Sequence, residues 1–335
     1  MIPYHGSQYS GKGGHYESWF LRANHPQQAR AFWIRYTQFI PDDNRPPLGE
    51  IWAIWFDAEG PHANRPHVVA VKNEAPLAVC DFGSDTMRVA LPGATLRSHH
   101  LQGDATSAGH SLAWTLEYRS NDDRGQAPSL MFLPEELYQK SLPKAKALVS
   151  RPNVYFSGHI VVDGEHYTID RWQGSENHNW GRKHTDQYAW GQVAGFDNAP
   201  DSFLECITAR VKLGPLLSPQ LTIACLRLDG EEYMFNRIGT ALRATSRYAF
   251  FDWQFRTRRD GHQLAVQLQA PPSHFTALTY FNPPGGSKTC LNSKIAHCEA
   301  ILTPRGQTPR TLISRHGAAF EILTDKEDHG IAVSV

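Results

Sequence analysis

Side chains capable of acid–base chemistry are concentrated in GSENHNWGRKHTDQYAWGQVAGF, residues 174–196. In this segment Glu176 precedes His178, and the amides Asn177 and Asn179 flank the histidine. Neighbouring amides could fix the tautomer and orientation of the imidazole, which proton transfer requires. A histidine held by hydrogen bonds for purely structural reasons is an equally good interpretation. We therefore treat these four residues as candidate site residues.

The same segment contains two tryptophans, each followed directly by a glycine. On an extended strand, Tyr188 and Trp190 share one face, and Trp180 lies in the preceding polar run. Indole faces attract cations, including a positive charge that develops on a bound substrate. With nine tryptophans in the chain, most must instead fill cores. These three aromatic residues are candidates for substrate contact.

Two further carboxylates lie on otherwise apolar rows of residues. In SFLECITARV, Glu205 shares a face with apolar side chains, while Arg210 falls on the other face. Near the N-terminus, HYESWFLRAN places Glu17 on the same face as Trp19. A carboxyl group in apolar surroundings has a raised pKa and can donate a proton. Glu205 and Glu17 are thus candidate acids, and Trp19 and Arg210 are candidate substrate contacts.

An ordinary ion pair would produce the same pattern. Arg35, Arg171 or Arg210 could neutralise either glutamate without any catalytic role. Structural networks of this kind also perturb pKa values, so the pattern alone does not separate the two interpretations.

Several classes of cofactor site lack their motifs. The run YSGKGGHYES lacks the spacing of a phosphate-binding loop, and neither a GxSxG elbow nor an HExxH pair occurs. The pairs His99-His100 and His178 with His184 could meet at a metal only through the fold. The five cysteines form no CxxC pair, and we interpret them as free core thiols. We predict no metal and no organic cofactor.

Charge and hydropathy limit the partners. The 33 basic and 33 acidic residues balance, with no basic stripe of the kind that binds nucleic acid. No stretch approaches the roughly 18 apolar residues of a membrane span, although transient contact with a membrane surface is compatible with the sequence. The start MIPYHGSQYSGKGG lacks the features of a secretory signal. The expected location is the cytoplasm, and the sequence carries no signal for an oligomeric state.

The elements that must position these residues are strands. Period-two alternation dominates, as in AFWIRYTQFI, GEIWAIWFD, HSLAWTLEYRS and RYAFFDWQFRTR. Asp-Gly steps at 163–164, 229–230 and 260–261 are typical of two-residue hairpin turns. These patterns predict an all-β protein with antiparallel barrel or sandwich domains, whose interior can hold a small apolar ligand.

One region has helical character. The run PEELYQKSLPKAKALV, residues 134–149, begins with a proline and two acids, and Pro143 should break or kink any helix it forms. We predict a helical connector at residues 134–152 between an N-terminal β domain, residues 1–133, and a C-terminal β domain, residues 153–335.

Two motifs resemble a known family. ENHNWG at residues 176–181 and YAWGQVAGF at residues 188–196 resemble the signature of the lipocalin-like carotenoid 1,2-hydratases (hydroxyneurosporene synthases). Tocopherol cyclases carry a similar Asn-x-x-Trp-Gly stretch, and their N-terminal Glu-x-Trp-aromatic stretch resembles YESWF here. Fungal Diels–Alderases of the same broad superfamily share a two-domain β architecture.

The resemblance implies two lipocalin-like domains with a site near their junction, acting on long apolar molecules without a cofactor. His178 and Trp180 match motif positions implicated in catalysis in the hydratases. Those enzymes also use a tyrosine and an aspartate on the following strand, whereas FLECIT here offers only Glu205. This departure favours a substrate other than a carotenoid.

Two functions from different classes follow. The first is a cofactor-independent hydratase, cyclase or isomerase acting on a hydrophobic isoprenoid, polyene or polyketide. A buried acid (Glu205, Glu17 or Glu176) would protonate the substrate, indoles would stabilise the cation, and His178 would deprotonate or position the trapping group. A pericyclic cyclisation would use the cavity mainly to hold the substrate folded. The second is a non-catalytic carrier of a lipid or pigment. Glycan binding through exposed tryptophans is a weaker third.

Overall fold

The computed structural model describes residues 4–60, 67–120 and 127–335, and their regular structure is almost entirely β-strand. The first sheet contains twelve strands: β1 His15–Asn24, β2 Arg30–Ile40, β3 Leu48–Asp57, β4 Val68–Pro76, β5 Asp81–Phe82, β6 Arg88–Leu91, β7 Ala94–Arg97, β8 His100–Ser107, β9 His110–Ser120, β10 Leu130–Met131, β11 Ala145–Val162 and β12 Glu165–Gly181.

The remaining strands form a ten-stranded second sheet and, from β15 and β16, a separate short hairpin. They are β13 Gln187–Phe196, β14 Ala199–Arg210, β15 Lys212–Leu213, β16 Leu216–Leu217, β17 Leu221–Leu228, β18 Glu231–Phe235, β19 Thr245–Ala249, β20 Asp252–Arg259, β21 His262–Gln269, β22 Thr276–Phe281, β23 Ser287–Thr303 and β24 Arg310–Thr324. The helical elements are α1 Ile238–Arg243 and 3-10 turns at Leu77–Val79, Glu135–Leu137 and Pro272–His274.

Both large sheets are antiparallel and curl around their own cores. The first has the order β4-β3-β2-β1-β12-β11-β9-β8-β7-β6-β5, and the second β18-β17-β14-β13-β24-β23-β21-β20-β19. The first sheet curls until β4 meets β8, where the Asn73 amide exchanges hydrogen bonds with the backbone of Thr106 at 2.9 and 3.0 Å. This curling gives the antiparallel β domains that the alternation predicted, of the lipocalin-like type that the family resemblance implied.

The three Asp-Gly steps form the predicted hairpins. They connect β11 to β12, β17 to β18 and β20 to β21, with the flanking residues paired directly across each turn. Both residues of each step have positive φ, between 50° and 88°. Type I′ turns require this conformation, and glycine adopts it without steric strain.

The predicted helical connector is wrong. Residues 134–152 contain the 3-10 turn Glu135–Leu137, and the rest of the span runs into β11, which belongs to the first sheet. Within this span, β12 pairs with residues 145–151 and β10 pairs with Leu148 and Val149, and this pairing overrides local helix propensity. The chain passes from the first sheet to the second at residues 182–186, and β11 and β12, residues 145–181, pair within the first sheet.

Strand alternation determines which residues face the domain junction. On β1, Trp19 and Leu21 belong to the first core, and Glu17 lies on the same face, bonded to the histidine that Trp19 stacks against. Ser18 and Phe20 point the other way, towards the second domain. Each strand at the junction therefore carries two separate sets of side chains.

The two domains meet through their own apolar cluster. It combines Trp33 and Trp52 of the first domain with Trp190, Leu278 and Tyr280 of the second. Among the described residues, no helix has the length and apolar character needed to cross a membrane. Four of the five cysteines are buried free thiols as predicted, whereas Cys80 is only half-buried.

Candidate functional site

A cavity of about 920 Å³ lies between the two domains. Its walls are mainly apolar and come largely from β1, β2, β11, β13, β14 and β17, with further residues from β12, β22 and β24. Representative lining residues are Phe20, Trp33, Leu148, Trp190, Ile207 and Ile223. A space of this size and character suits a hydrophobic molecule of moderate length.

The misassigned connector forms one wall of the cavity. Residues 132–134, 143 and 145–149 line it, and nearby Glu136 and Lys140 are exposed. From the second domain, Arg237 and Ile238 line the same cavity and are also exposed. The cavity therefore opens to solvent at the side where this segment faces α1.

Glu205 places a carboxyl group in the wall of the cavity, only 3% exposed. The Trp190 indole Nε1 donates a hydrogen bond to its Oε1 at 2.7 Å. The Gln192 amide Nε2 donates to its Oε2, also at 2.7 Å. Both side-chain partners are donors, so a proton on Glu205 has no acceptor among these neighbours and can be offered to a molecule in the cavity.

Gln192 is held in the orientation that makes it a donor. Its Oε1 accepts hydrogen bonds from Arg22 Nε at 2.6 Å and from Ser175 Oγ at 2.7 Å. Its Nε2 also donates to Asn177 Oδ1 at 2.7 Å. Because both ends of the amide are engaged, the hydrogen bond to Glu205 is fixed by a network that spans the two domains.

Burial raises the pKa of Glu205 to about 7, although the hydrogen bonds from Trp190 and Gln192 and the charge of Arg22 act in the opposite direction. The carboxyl group is therefore present in both protonation states near neutral pH. A group poised in this way can donate a proton and recover it in the same turnover.

The raised pKa predicts a pH-dependent free energy of unfolding. The folded protein holds the Glu205 proton up to about pH 7, whereas the unfolded chain releases it near the ordinary value of 4.5. The folded state binds more protons between these values, so stability falls as the pH rises through this window. Relative to Glu205→Gln, the parent should lose about 3 kcal/mol between pH 4 and pH 8. Urea unfolding of both proteins at each pH measures this; a pH-independent difference would contradict the assignment.

Four other predicted residues also line the cavity. They are Trp190 and Tyr188 on β13, and Asn177 and Asn179 on β12. The Lys294 ammonium lies 5.5 Å from the ring centroid of Trp190, so this indole already contacts a cation of the protein. The contact through which Trp190 could affect a reaction is therefore its hydrogen bond to the Glu205 carboxyl group.

The other predicted acids and His178 face the interior of the first domain, away from this cavity. His178 Nε2 bonds to Glu17 Oε1 at 2.8 Å, and its Nδ1 bonds to the carbonyl oxygen of Tyr4 at 2.7 Å. Trp19 and Trp180 both pack against His178, each with a centroid separation of 4.6 Å. The structure thus separates these residues from Glu205, because their side chains project from the faces of β1 and β12 that point away from the cavity.

Glu17 and Glu176 do not have the raised pKa values expected of proton donors. Burial alone would raise the pKa of Glu17, but hydrogen bonds from His15 and His178 outweigh it and lower the pKa to about 2. For Glu176, His5 and Arg151 outweigh burial and likewise lower the pKa. Both carboxyl groups are therefore ionised at neutral pH, which does not favour a role as proton donors.

Arg210 lies outside the cavity lining, as the sequence pattern placed it, on the face of β14 opposite Glu205. Its Nε donates to the carbonyl oxygen of Ser218 at 3.0 Å. The predicted contact of Arg210 with substrate has no support from this position.

Sequence reasoning missed several polar residues that face the cavity or its network. Gln192 continues the row of Tyr188 and Trp190, and Arg35 continues the row of Trp33, so period-two alternation could have found both. Glu321 required the fold, because β24 reaches β13 only through the sheet. Within residues 4–60, 67–120 and 127–335, no three His, Cys, Asp or Glu side chains are grouped to hold a metal ion.

Comparison with models of known protein families gives no match, and comparison with curated proteins gives none either. Among solved structures, kievitone hydratase from Nectria haematococca aligns with a TM-score of 0.55 and 12% identity, covering 97% of this chain and 94% of its own. A Nitrosomonas europaea protein provisionally named ATTH aligns with a TM-score of 0.56 and 14% identity, covering 97% and 98%. At these identities the likeness concerns the fold, and it confirms the all-β, two-domain lipocalin-like class.

Proposed function

We propose that this protein is a cofactor-independent enzyme that transforms a hydrophobic small molecule in the interdomain cavity. The observation that carries the proposal is Glu205, a carboxyl group with a pKa of about 7 in a mainly apolar cavity of about 920 Å³. One structural neighbour is a hydratase, which favours water addition, elimination or a related cyclisation as the reaction class.

In the proposed reaction, the Glu205 O–H bond breaks and its proton goes to an alkene carbon or a carbonyl oxygen of the substrate. The resulting cation is trapped by water in a hydration, or by an internal double bond or hydroxyl in a cyclisation. The trapping group or an adjacent carbon then returns a proton to the Glu205 carboxylate, which regenerates the acid. Trp190 and Gln192 hold both carboxyl oxygens in place during these steps.

The substrate class that we propose is an isoprenoid, polyene or polyketide. The apolar walls and the aromatic residues Phe20, Trp33 and Trp190 favour an extended unsaturated molecule. Membership of the carotenoid 1,2-hydratase family rests on the two short motifs in residues 176–196 and stays a prediction.

A carrier of a lipid or pigment is the second candidate. The cavity would bind such a molecule without any reaction, and the exposed residues at its mouth, such as Arg237 and Ile238, would allow exchange with solvent.

The two candidates are separated by incubating the purified protein with a hydrophobic extract of its source cells and recording masses by liquid chromatography and mass spectrometry. The enzyme should deplete one compound and produce another whose mass differs by one water or is unchanged with a shifted retention time. Heat-unfolded protein is the control. Recovery of bound molecules with no new product in any fraction would reject the enzyme and support the carrier.

A further inference from the structure

Arg35 is a buried cation in the cavity wall without a hydrogen-bonding partner. It lies on β2, two residues after Trp33, and is only 6% exposed. Its Nε atom is buried and has no hydrogen bond. Within the described part of the chain, no hydrogen bond or ion pair reaches its guanidinium group. Its nearest aromatic neighbour is Tyr280, whose ring centroid is 4.6 Å from the guanidinium carbon.

The carboxylates whose charges act on Arg35 are already paired with lysines. Those carboxylates are Glu50 and Glu321. Glu50 binds Lys72 at 2.9 Å, and Glu321 binds the fully buried Lys294 at 2.8 Å. Lys72 also binds Glu74 at 2.5 Å, so the group around Glu50 is not neutral. Burial acts to lower the pKa of Arg35, but nearby groups, Glu50 and Glu321 among them, outweigh it and raise the pKa, while neither carboxylate accepts a hydrogen bond from the guanidinium group. Buried guanidinium N–H groups without an acceptor are unfavourable, which calls for an explanation.

The groups around Arg35 are suited to donate hydrogen bonds to an anion. Tyr16, Tyr280 and His184 line the same part of the cavity, with the His184 ring stacked on both tyrosines. Burial raises the pKa of both phenols, which stay protonated. Burial and the charge of Arg35 lower the pKa of His184 to about 3, so this ring adds no competing positive charge.

We propose that Arg35 binds an anionic oxygen of the ligand, a carboxylate or an enolate or phenolate. The guanidinium group presents several N–H donors to such an oxygen, and the Tyr16 phenol can add its own. This inference rests on the proposed function and specifies its substrate class as an amphiphile with one acidic group.

The position of Arg35 also sets the direction of the ligand. Arg35 is paired across the sheet with Phe20, whose ring packs edge-on against Trp190 at 6.1 Å. Trp190 in turn donates to Glu205. A ligand anchored at Arg35 would therefore extend its apolar body along Phe20 and Trp190 and bring an internal bond to the Glu205 carboxyl group.

The test compares decanoic, tetradecanoic and octadecanoic acids with their methyl esters, by isothermal titration calorimetry and ligand-induced shifts in Tm. The acids should bind the parent roughly 10- to 100-fold more tightly than the esters, because an ester cannot offer an anionic oxygen. Arg35→Met should remove this preference and leave ester binding intact. Arg35→Gln gives the same readout if the methionine variant does not fold.

The matched control is Arg259→Met, which removes another cavity-lining arginine. Arg259 is already engaged, with Nη1 donating to the carbonyl oxygen of Met234 at 2.6 Å and Nε contacting Asp260 at 3.0 Å. This variant should retain the preference for acids.

The assignment of Arg35 would be overturned if the parent bound acids and esters equally well. It would also be overturned if both Arg35→Met and Arg35→Gln kept the preference for acids. Neither outcome would affect the extract experiment, which tests the proposed function. Failure of every acid and ester to bind would overturn both the anion site and the ligand cavity.

Discussion

Glu205→Gln should slow conversion of the substrate found in the extract experiment by roughly 10²- to 10⁴-fold. Glutamine has nearly the size of glutamate but has no acidic proton to transfer. Its single carbonyl oxygen can also accept from only one of the two donors, Trp190 Nε1 and Gln192 Nε2. The measurement is the rate of product formation by liquid chromatography and mass spectrometry at saturating substrate, with folding verified by circular dichroism.

The matched control is Glu136→Gln, which removes an exposed carboxylate from the mouth of the same cavity. Glu136 has no contact with the network of Glu205, and we expect a change of less than twofold. A Glu205→Gln variant with near-parental turnover would exclude proton donation by this residue. Binding of the substrate should survive in the variant, because the apolar walls are unchanged.

The pH dependence of the parent provides an independent check on the same assignment. A proton donor must be protonated before each turnover, and the pKa of Glu205 is about 7. The rate in the parent should fall about tenfold per pH unit above this value. The residual rate of Glu205→Gln should lack this inflection. A rate that instead rises through pH 7 would assign Glu205 as a base.

The sequence predicted the fold class because the information is local. Alternation identifies a strand with two different faces, and an Asp-Gly step identifies a tight turn between two strands. The failure at residues 134–152 has the opposite cause. That run has the local composition of a helix, but residues 145–151 form the first part of β11 through pairing with β12, whose partner residues lie 25 to 36 positions further along the chain.

The candidate site was predicted only in part for a related physical reason. Alternation correctly grouped Glu205 with the face that includes Ile207, and Tyr188 with Trp190. It could not distinguish the interior of the first domain from the space between domains, since both are apolar. In the sequence, Glu17 and His178 therefore resembled Glu205. In the structure, their side chains project from β1 and β12 into the interior of the first domain and not into the cavity.

Arg151→Met should lower the free energy of unfolding by about 3–5 kcal/mol at neutral pH. Arg151 Nη1 binds Glu176, which is fully buried inside the first domain. Glu176 also accepts hydrogen bonds from Tyr118 Oη at 2.7 Å and from His5 Nε2 at 2.6 Å. Without the guanidinium group, these two contacts would be left to stabilise a carboxylate that water cannot reach. Urea unfolding measures the change.

Two controls separate this effect from simple loss of packing. Arg119→Met breaks the exposed pair with Glu117 and should change stability by less than about 1 kcal/mol. The double variant Arg151→Met with Glu176→Gln removes the uncompensated charge and should recover most of the loss. Because Glu176 faces away from the interdomain cavity, folded Arg151→Met should keep the parental rate and its pH dependence. A stable Arg151→Met variant whose rate depends on pH differently from that of the parent would instead indicate that Glu176 takes part in catalysis.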